Sequence, residues 1–200
     1  MNFNFEEPNK AFVYCDGAIK GIRYEEGKER FGGIAIAPKN NYPFEKMGIS
    51  LADSKLTNNA IELLAGLLSI LFTVDKYTDE RNLNIIVKSD SEYVVKGFNE
   101  RMEKWNVNNW KTSDNNDVKN RELWELMLCT KSILQRKNFY IKFVWVKGHT
   151  ENLNTDDEIY NDKVDKLAVK YKEEQINPFS LDESINFIKD FLKILESRFK

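Results

Sequence analysis

Four acidic residues of this 200-residue chain stand where an α/β sheet could gather them: Asp16, Glu62, Asp90 and Asp165. Asp16 closes one short apolar run and Asp90 follows another, while Glu62 and Asp165 fall in the first turns of segments with helical period. The ends of central strands and the starts of helices are where such sheets build their sites. Four carboxylates converging there would repel one another and resist burial unless cations held them together. Oxygen-rich donor sets of this kind suit Mg²⁺ or Mn²⁺. Two such ions about 4 Å apart activate a water and stabilise the leaving oxygen in an in-line attack on phosphate. Taken singly, the acids have plainer readings. Asp16 before Gly17 is a turn residue, Glu62 a solvated helix residue, and Ser89-Asp90-Ser91 a helix N-cap. His149, the single histidine, is by itself a loop residue.

The elements that must carry these side chains follow from hydrophobic period. Residues 11–16 (AFVYCD), 32–37 (GGIAIA) and, more weakly, 45–49 read as three strands with short connections, an antiparallel meander. The Asp16-Gly17 pair reads as the turn ending the first. From 57 to 77, Ile61, Leu64, Leu67, Leu68, Leu71 and Phe72 recur at helical spacing, with Thr57 or Asn58 as cap. Residues 83–88 form a fourth strand, followed by a short helix through Tyr93, Val94 and Phe98. Residues 120–135 are a helix, 139–146 alternate as a fifth strand, and 161–171 are helical. The order βββαβαβα places the strands joined by helices in parallel. It predicts an α/β fold with a mixed five-stranded sheet, three antiparallel strands then two parallel, and helices on both faces.

Past an Asn177-Pro178 break, Ile185, Ile188, Phe191, Leu192 and Leu195 form an apolar stripe over residues 181–199. Residues 176–200 thus read as an extra C-terminal amphipathic helix appended to a domain of residues 1–175, with its core at 11–171. That helix either covers the sheet or serves as a partner or dimer helix.

Composition sets the outer bounds. Hydrophobic residues are 42% and charged residues 31%, a globular balance. No apolar run approaches the roughly 18–20 residues that span a bilayer. The N-terminus carries acids where a secretion signal has basic residues. Cys15 and Cys129 fit neither a disulfide framework nor a zinc spacing. A soluble, reduced, cytoplasmic protein is expected. The formal charge is −2, but residues 81–150 hold 13 basic and 8 acidic residues. Phosphate binding needs local positive charge rather than a basic whole protein, so nucleic acid stays open as a partner.

Local motifs narrow the reading. Tyr14-Cys15-Asp16-Gly17, Thr57-Asn58-Asn59-Ala60-Ile61-Glu62-Leu63, Ser89-Asp90-Ser91-Glu92-Tyr93-Val94 and Val146-Lys147-Gly148-His149 resemble, in order, signature segments of type 1 ribonuclease H. Asn161-Asp162-Lys163-Val164-Asp165-Lys166-Leu167-Ala168 is similar to the family's last motif. Trp105, Trp110-Lys111-Thr112, Val118-Lys119-Asn120 and Leu123-Trp124 resemble the substrate-binding handle of its bacterial and eukaryotic members. The resemblance spans residues 11–171 and implies an RNase H-like fold and hydrolysis of the RNA strand of RNA–DNA hybrids by a monomer. It implies two Mg²⁺ ions, or Mn²⁺, on Asp16, Glu62, Asp90 and Asp165, with His149 as a mobile proton shuttle in product release. It further implies that Asn58 and Asn59 read the RNA minor groove and that Thr57 and Asn120 hold a DNA-strand phosphate. Trp105, Trp110, Lys111 and Lys119 would shape or line the handle; each tryptophan has simple packing as its alternative.

Four features depart from the family pattern. The loop after Asp16 lacks the usual glycines and prolines, position 92 is Glu where Gln is common, and the handle tip, Asn106-Val107-Asn108-Asn109, lacks a basic cluster. The segment between His149 and Asn161 is long and carries Asp156, Asp157 and Glu158, either a solvated acidic loop or a modulator of metal occupancy or His149 mobility. Asp162 competes with Asp165 for the fourth ligand, and register favours Asp165. Two other functions remain: a nucleic-acid-binding module that kept the fold without catalysis, and a resolvase- or transposase-type enzyme of the same superfold.

Overall fold

A computed structural model describes residues 10–20, 27–41, 43–77, 82–148 and 153–199. Three strands come first, β1 Lys10–Ile19, β2 Phe31–Pro38 and β3 Met47–Ala52. Helix α1, Asn58–Lys76, leads to β4, Asn84–Ser89. Next come α2, Glu92–Lys96, and α3, Met102–Val107, joined by a π-helical turn over Gly97–Arg101. Then follow α4, Arg121–Gln135, β5, Tyr140–Trp145, α5, Asp156–Glu174, and α6, Leu181–Arg198. The sheet has the order β3-β2-β1-β4-β5, antiparallel among β1, β2 and β3 and parallel across β1, β4 and β5. This is the mixed sheet that the hydrophobic periods predict.

Alternation along β1 divides the core in two. Ala11, Val13 and Cys15 enter the main cluster with α1, while Tyr14 joins Ala35, Ala37, Val164 and Ala168 under α5. Helix α1 is the centre of the main cluster, with Ile61, Leu64, Leu67 and Leu71 fully enclosed. By length and composition this helix could cross a membrane, yet 72% of its apolar window is buried inside the fold, as a core helix requires. On the other face α5 lies almost on the backbone of β2. A Cβ at Gly33 would fall 2.0 Å from the Ala168 carbonyl oxygen, so only glycine admits the helix there.

Three boundaries differ from the sequence expectation, the first for a non-local reason. Asp16-Gly17 is not a turn. Pairing of β1 with β4 stops at Tyr14↔Lys88, but β2 continues the ladder through Asp16↔Ala35 and Gly17↔Ile34, so the strand runs on to Ile19. Helix α5 begins at Asp156 rather than 161, under a capping box in which Thr155 Oγ1 accepts the Glu158 N–H and Glu158 accepts the Thr155 N–H. The acidic stretch is therefore largely a helix start, where acids favour the macrodipole, and Asp165 falls in the third turn of the longer helix. After Asp90 the chain stays helical well past Phe98, to Val107.

The C-terminal segment is tied in at both ends. Phe179 pairs with the β3 edge, accepting from the Ala52 N–H at 3.0 Å and donating to the Ser50 carbonyl at 3.0 Å. Ile185, Ile188, Leu192 and Leu195 of α6 then enter the same core cluster as α1 and α4. The helix covers the helical layer, not the sheet: Phe187 meets Phe72 of α1, and Lys189 pairs with Glu122 of α4 at 2.7 Å.

Candidate active site

Asp16 stands at the sheet centre, beyond the last residue pair that β1 makes with its parallel partner β4. Its side chain is 8% exposed, and Oδ1 accepts the Gly17 N–H at 2.7 Å. A Cβ at Gly17 would lie 2.7 Å from Ile61 Cγ2 and 3.0 Å from Glu62 N. That close approach presses the first turn of α1 onto β1 and brings Glu62 beside Asp16. Thr57 caps the turn, its Oγ1 accepting the Ala60 N–H at 3.1 Å. Glu62 Oε2 accepts the Ser91 hydroxyl at 2.6 Å, and Ser91 Oγ also caps α2 by accepting the Val94 N–H at 3.3 Å. Asp90 is fixed twice. Its backbone carbonyl accepts from Trp145 Nε1 at 3.0 Å, and its Oδ2 accepts from Asn161 Nδ2 at 3.4 Å. Asn161 lies one helical turn before Asp165 on α5.

Asp16, Glu62, Asp90 and Asp165 thereby line one open cavity of about 530 Å³, together with Gly17, Asn58 and Gly148. Burial first, and then the charges of Asp90, Asp165 and Glu62, push the Asp16 carboxyl from an ordinary 3.8 up to about 7, against the Gly17 N–H that favours its charge. Burial also raises Glu62, with Asp90 adding to it and the Ser91 hydroxyl opposing. No lysine or arginine among the described residues pairs with Asp16, Glu62 or Asp90. The acids border the cavity without closing on a point: among the described residues no three His, Cys, Asp or Glu side chains are gathered tightly enough to hold an ion as they stand.

The other sequence candidates fall in three places. Asn58 lines the cavity and Asn59 is exposed beside it. Asp162, the alternative to Asp165, pairs with Lys166 at 2.7 Å and does not border the cavity. His149 lies outside the described residues. The handle forms a separate region. Trp110 is 5% exposed beneath the Arg121 guanidinium, and the half-buried Trp105 meets Trp124 edge-on at 5.4 Å, so both rings shape the handle by packing. Lys111 pairs with Asp117 at 2.6 Å, Lys119 is exposed, and Asn120 precedes α4 at a left-handed φ of 56°. Glu92 is exposed and paired with Lys96 at 2.6 Å.

The acids of the long segment are occupied elsewhere. Glu158 belongs to the α5 cap and Asp156 pairs with Lys39 at 3.3 Å. Asp157 accepts from Lys88 and, at 2.6 Å, from the Tyr14 hydroxyl. Ser91, Asn161 and Trp145 are the supporting residues that sequence reasoning missed. Ser91 and Asn161 stand inside the motifs, but nothing in a motif says which acid each would hold, and Trp145 carries no local signal at all.

A mixed sheet of this order, with acids from two adjacent strands and two opposing helices meeting at one edge, defines an α/β fold of the ribonuclease H-like class. The RNase H family profile matches residues 8–173. Ribonuclease H of Wigglesworthia glossinidia brevipalpis is 32% identical over 182 residues, covering 91% of this chain and 98% of that protein. Ribonuclease H of Francisella tularensis subsp. novicida is 32% identical over 166 residues, 83% of this chain and 93% of the relative. A crystal structure of LC11-RNase H1 in complex with RNA/DNA hybrid shares the fold, with a TM-score of 0.55 over 82% of this chain and 98% of that one at 15% identity. The chain belongs to the RNase H family and is a ribonuclease H enzyme.

Proposed function

We propose that this enzyme hydrolyses the RNA strand of RNA–DNA hybrids, with Asp16, Glu62, Asp90 and Asp165 holding two Mg²⁺ ions, or Mn²⁺ in their place. The observation that carries the reading is the convergence of four acids from distant parts of the sequence on one open cavity. The donor set fits hard divalent cations: every side chain offers oxygen, and the charges on Asp16, Glu62 and Asp90 are answered by no lysine or arginine among the described residues. The buried Asn161 Oδ1, whose amide nitrogen faces Asp90, has no hydrogen-bond partner among the described residues. When bound, such ions would activate a water and stabilise the leaving oxygen.

The chain's own groups would orient the rest. Ser91 holds Glu62, Trp145 and Asn161 hold Asp90, and the Gly17 N–H holds Asp16. Asn58, at the cavity, and Asn59 would meet the minor groove, where 2′-hydroxyls mark RNA. Thr57 and Asn120 would hold a phosphate of the DNA strand beside the handle that Trp105 and Trp110 shape and Lys111 and Lys119 border. His149 would move a proton as product leaves. The relatives' shared name and the hybrid bound to LC11-RNase H1 support this substrate class, and the enzyme would act as a cytoplasmic monomer. A hybrid with a different fluorophore on each strand tests the proposal. Mg²⁺-dependent cutting of the RNA strand alone, lost in Asp16→Asn, is expected; cutting of the DNA strand, or no metal-dependent cutting, contradicts it.

A further inference from the structure

We infer that Tyr93 is a positioning residue for substrate, fixing Asn120 relative to the Asp90 segment and so setting the spacing at which the two strands of a hybrid are gripped. The inference rests on the reading of Asn120 as a DNA-phosphate contact. Tyr93 lies in the first turn of α2, three residues after Asp90. Its hydroxyl accepts from Trp124 Nε1 at 2.8 Å and from Asn120 Nδ2 at 3.2 Å, and donates to the Lys119 carbonyl oxygen at 3.2 Å. A phenol has one proton and two lone pairs, so the hydroxyl is saturated and its position fixed. The anchor is firm because Trp124 is fully buried and its ring meets Tyr93 at 5.5 Å.

Asn120 itself is set for outward use. An asparagine preceding a helix ordinarily turns its side-chain oxygen to cap the first amides. Here Asn120 makes no such cap, stands in the left-handed region, and gives one amide hydrogen to Tyr93. The amide carries a second hydrogen, which has no acceptor among the described residues and suits a phosphate oxygen. Residues 90–93 thus join two ends of a ruler. Asp90 and Ser91 hold the acidic cavity together at one end, and Tyr93 holds the Lys119-Asn120 turn at the other.

The test is steady-state cleavage of a labelled RNA–DNA hybrid by the wild type, Tyr93→Phe, Asn120→Gly and the double variant, each assayed below its measured Tm. Phenylalanine keeps the ring and removes only the hydroxyl; glycine keeps the left-handed backbone without strain. Tyr93→Phe is expected to raise KM about three- to tenfold, the scale of one lost hydrogen bond, with kcat held within about twofold. The double variant should be no worse than Asn120→Gly alone, because both changes remove one coupled contact. A lowered Tm with KM unmoved in Tyr93→Phe would mark a purely structural hydroxyl and overturn the inference, as would additive effects in the double variant. If Asn120→Gly leaves KM unchanged, the phosphate reading fails and the inference goes with it. If Asn120→Gly raises KM and Tyr93→Phe does not, the inference alone fails.

Discussion

Asp157 and Asp16 both lie against β1, one bonded to Tyr14 and the other two residues further along the strand, in opposite electrostatic settings. For Asp157 burial opposes the charge, but hydrogen bonds from Lys88 and Tyr14 and the nearby lysine charges outweigh it and hold the carboxyl below its ordinary range. For Asp16 burial and three neighbouring acids act together, and the carboxyl rises to about 7. The register explains the contrast. Lys88 pairs directly with Tyr14 in the parallel ladder, so β4 delivers its lysine to the Asp157 side and ends before it could deliver one to Asp16. The fold thus supplies its own cation to Asp157, while Asp16, Glu62 and Asp90 pair with no lysine or arginine among the described residues. Two acids against one strand face thus differ by whether the neighbouring strand brings them a countercharge.

The comparison breaks most sharply on activity. Removing one carboxylate of the cavity, as in Asp16→Asn, is expected to lower hybrid cleavage by about a thousandfold or more, since cation-based stabilisation of the transition state is worth several kcal/mol. Asp157→Asn, an equal change in charge a short way along the same face, should stay within a few-fold of wild type in the same assay. Gly17→Ala probes the scaffold between these extremes. The added Cβ meets Ile61 and the backbone at Glu62, so a stability loss of about 1–3 kcal/mol is expected in denaturant melts. Displacement of Glu62 should also slow cleavage by about a hundredfold. Smaller still is the cost of Asp157→Ala, about 1–2 kcal/mol in the same melts, because its hydrogen bonds are charge-assisted but its side chain is 38% exposed.

The pH dependence should also differ between the two clusters. A carboxyl with a raised folded value binds its proton more tightly in the fold than in the unfolded chain. For Asp16, stability of the metal-free protein should therefore fall as pH rises from about 4 to about 7 and change no further above that. Asp157 runs the other way. Its contribution is present above the ordinary carboxylate value and is lost only as pH falls through its lowered folded value. Tm against pH for the wild type and Asp16→Asn without divalent cations checks the first half: the decline over that window should flatten in the variant.

Much of this arrangement could be read along the chain. The long helical period of α1, the three early strands and the four acids each left a local trace. What escaped was mostly set by distant partners, the start of α5 being a local exception. The Asp16-Gly17 pair reads as a turn because the β2 ladder that extends β1 through it is not visible locally. The start of α5 looked like a solvated loop because acids dominate it, although the Thr155 to Glu158 spacing of a capping box was present in the sequence. Asp165 rested on register alone, and the structure lines the cavity with it rather than Asp162. Ser91, Trp145 and Asn161 reach Glu62 and Asp90 across 29, 55 and 71 residues, separations at which no motif specifies a hydrogen bond.

The proposal that the cavity acids hold Mg²⁺ is tested most directly by Mg²⁺-dependent thermal stability at pH 8. A ligand that binds only the folded state at one hundred times its Kd stabilises by about 2.7 kcal/mol, a readily measured rise in Tm. Mg²⁺ should raise the Tm of the wild type and of Asp157→Asn, and raise that of Asp16→Asn far less. No rise in the wild type, or an equal rise in Asp16→Asn, would contradict the account.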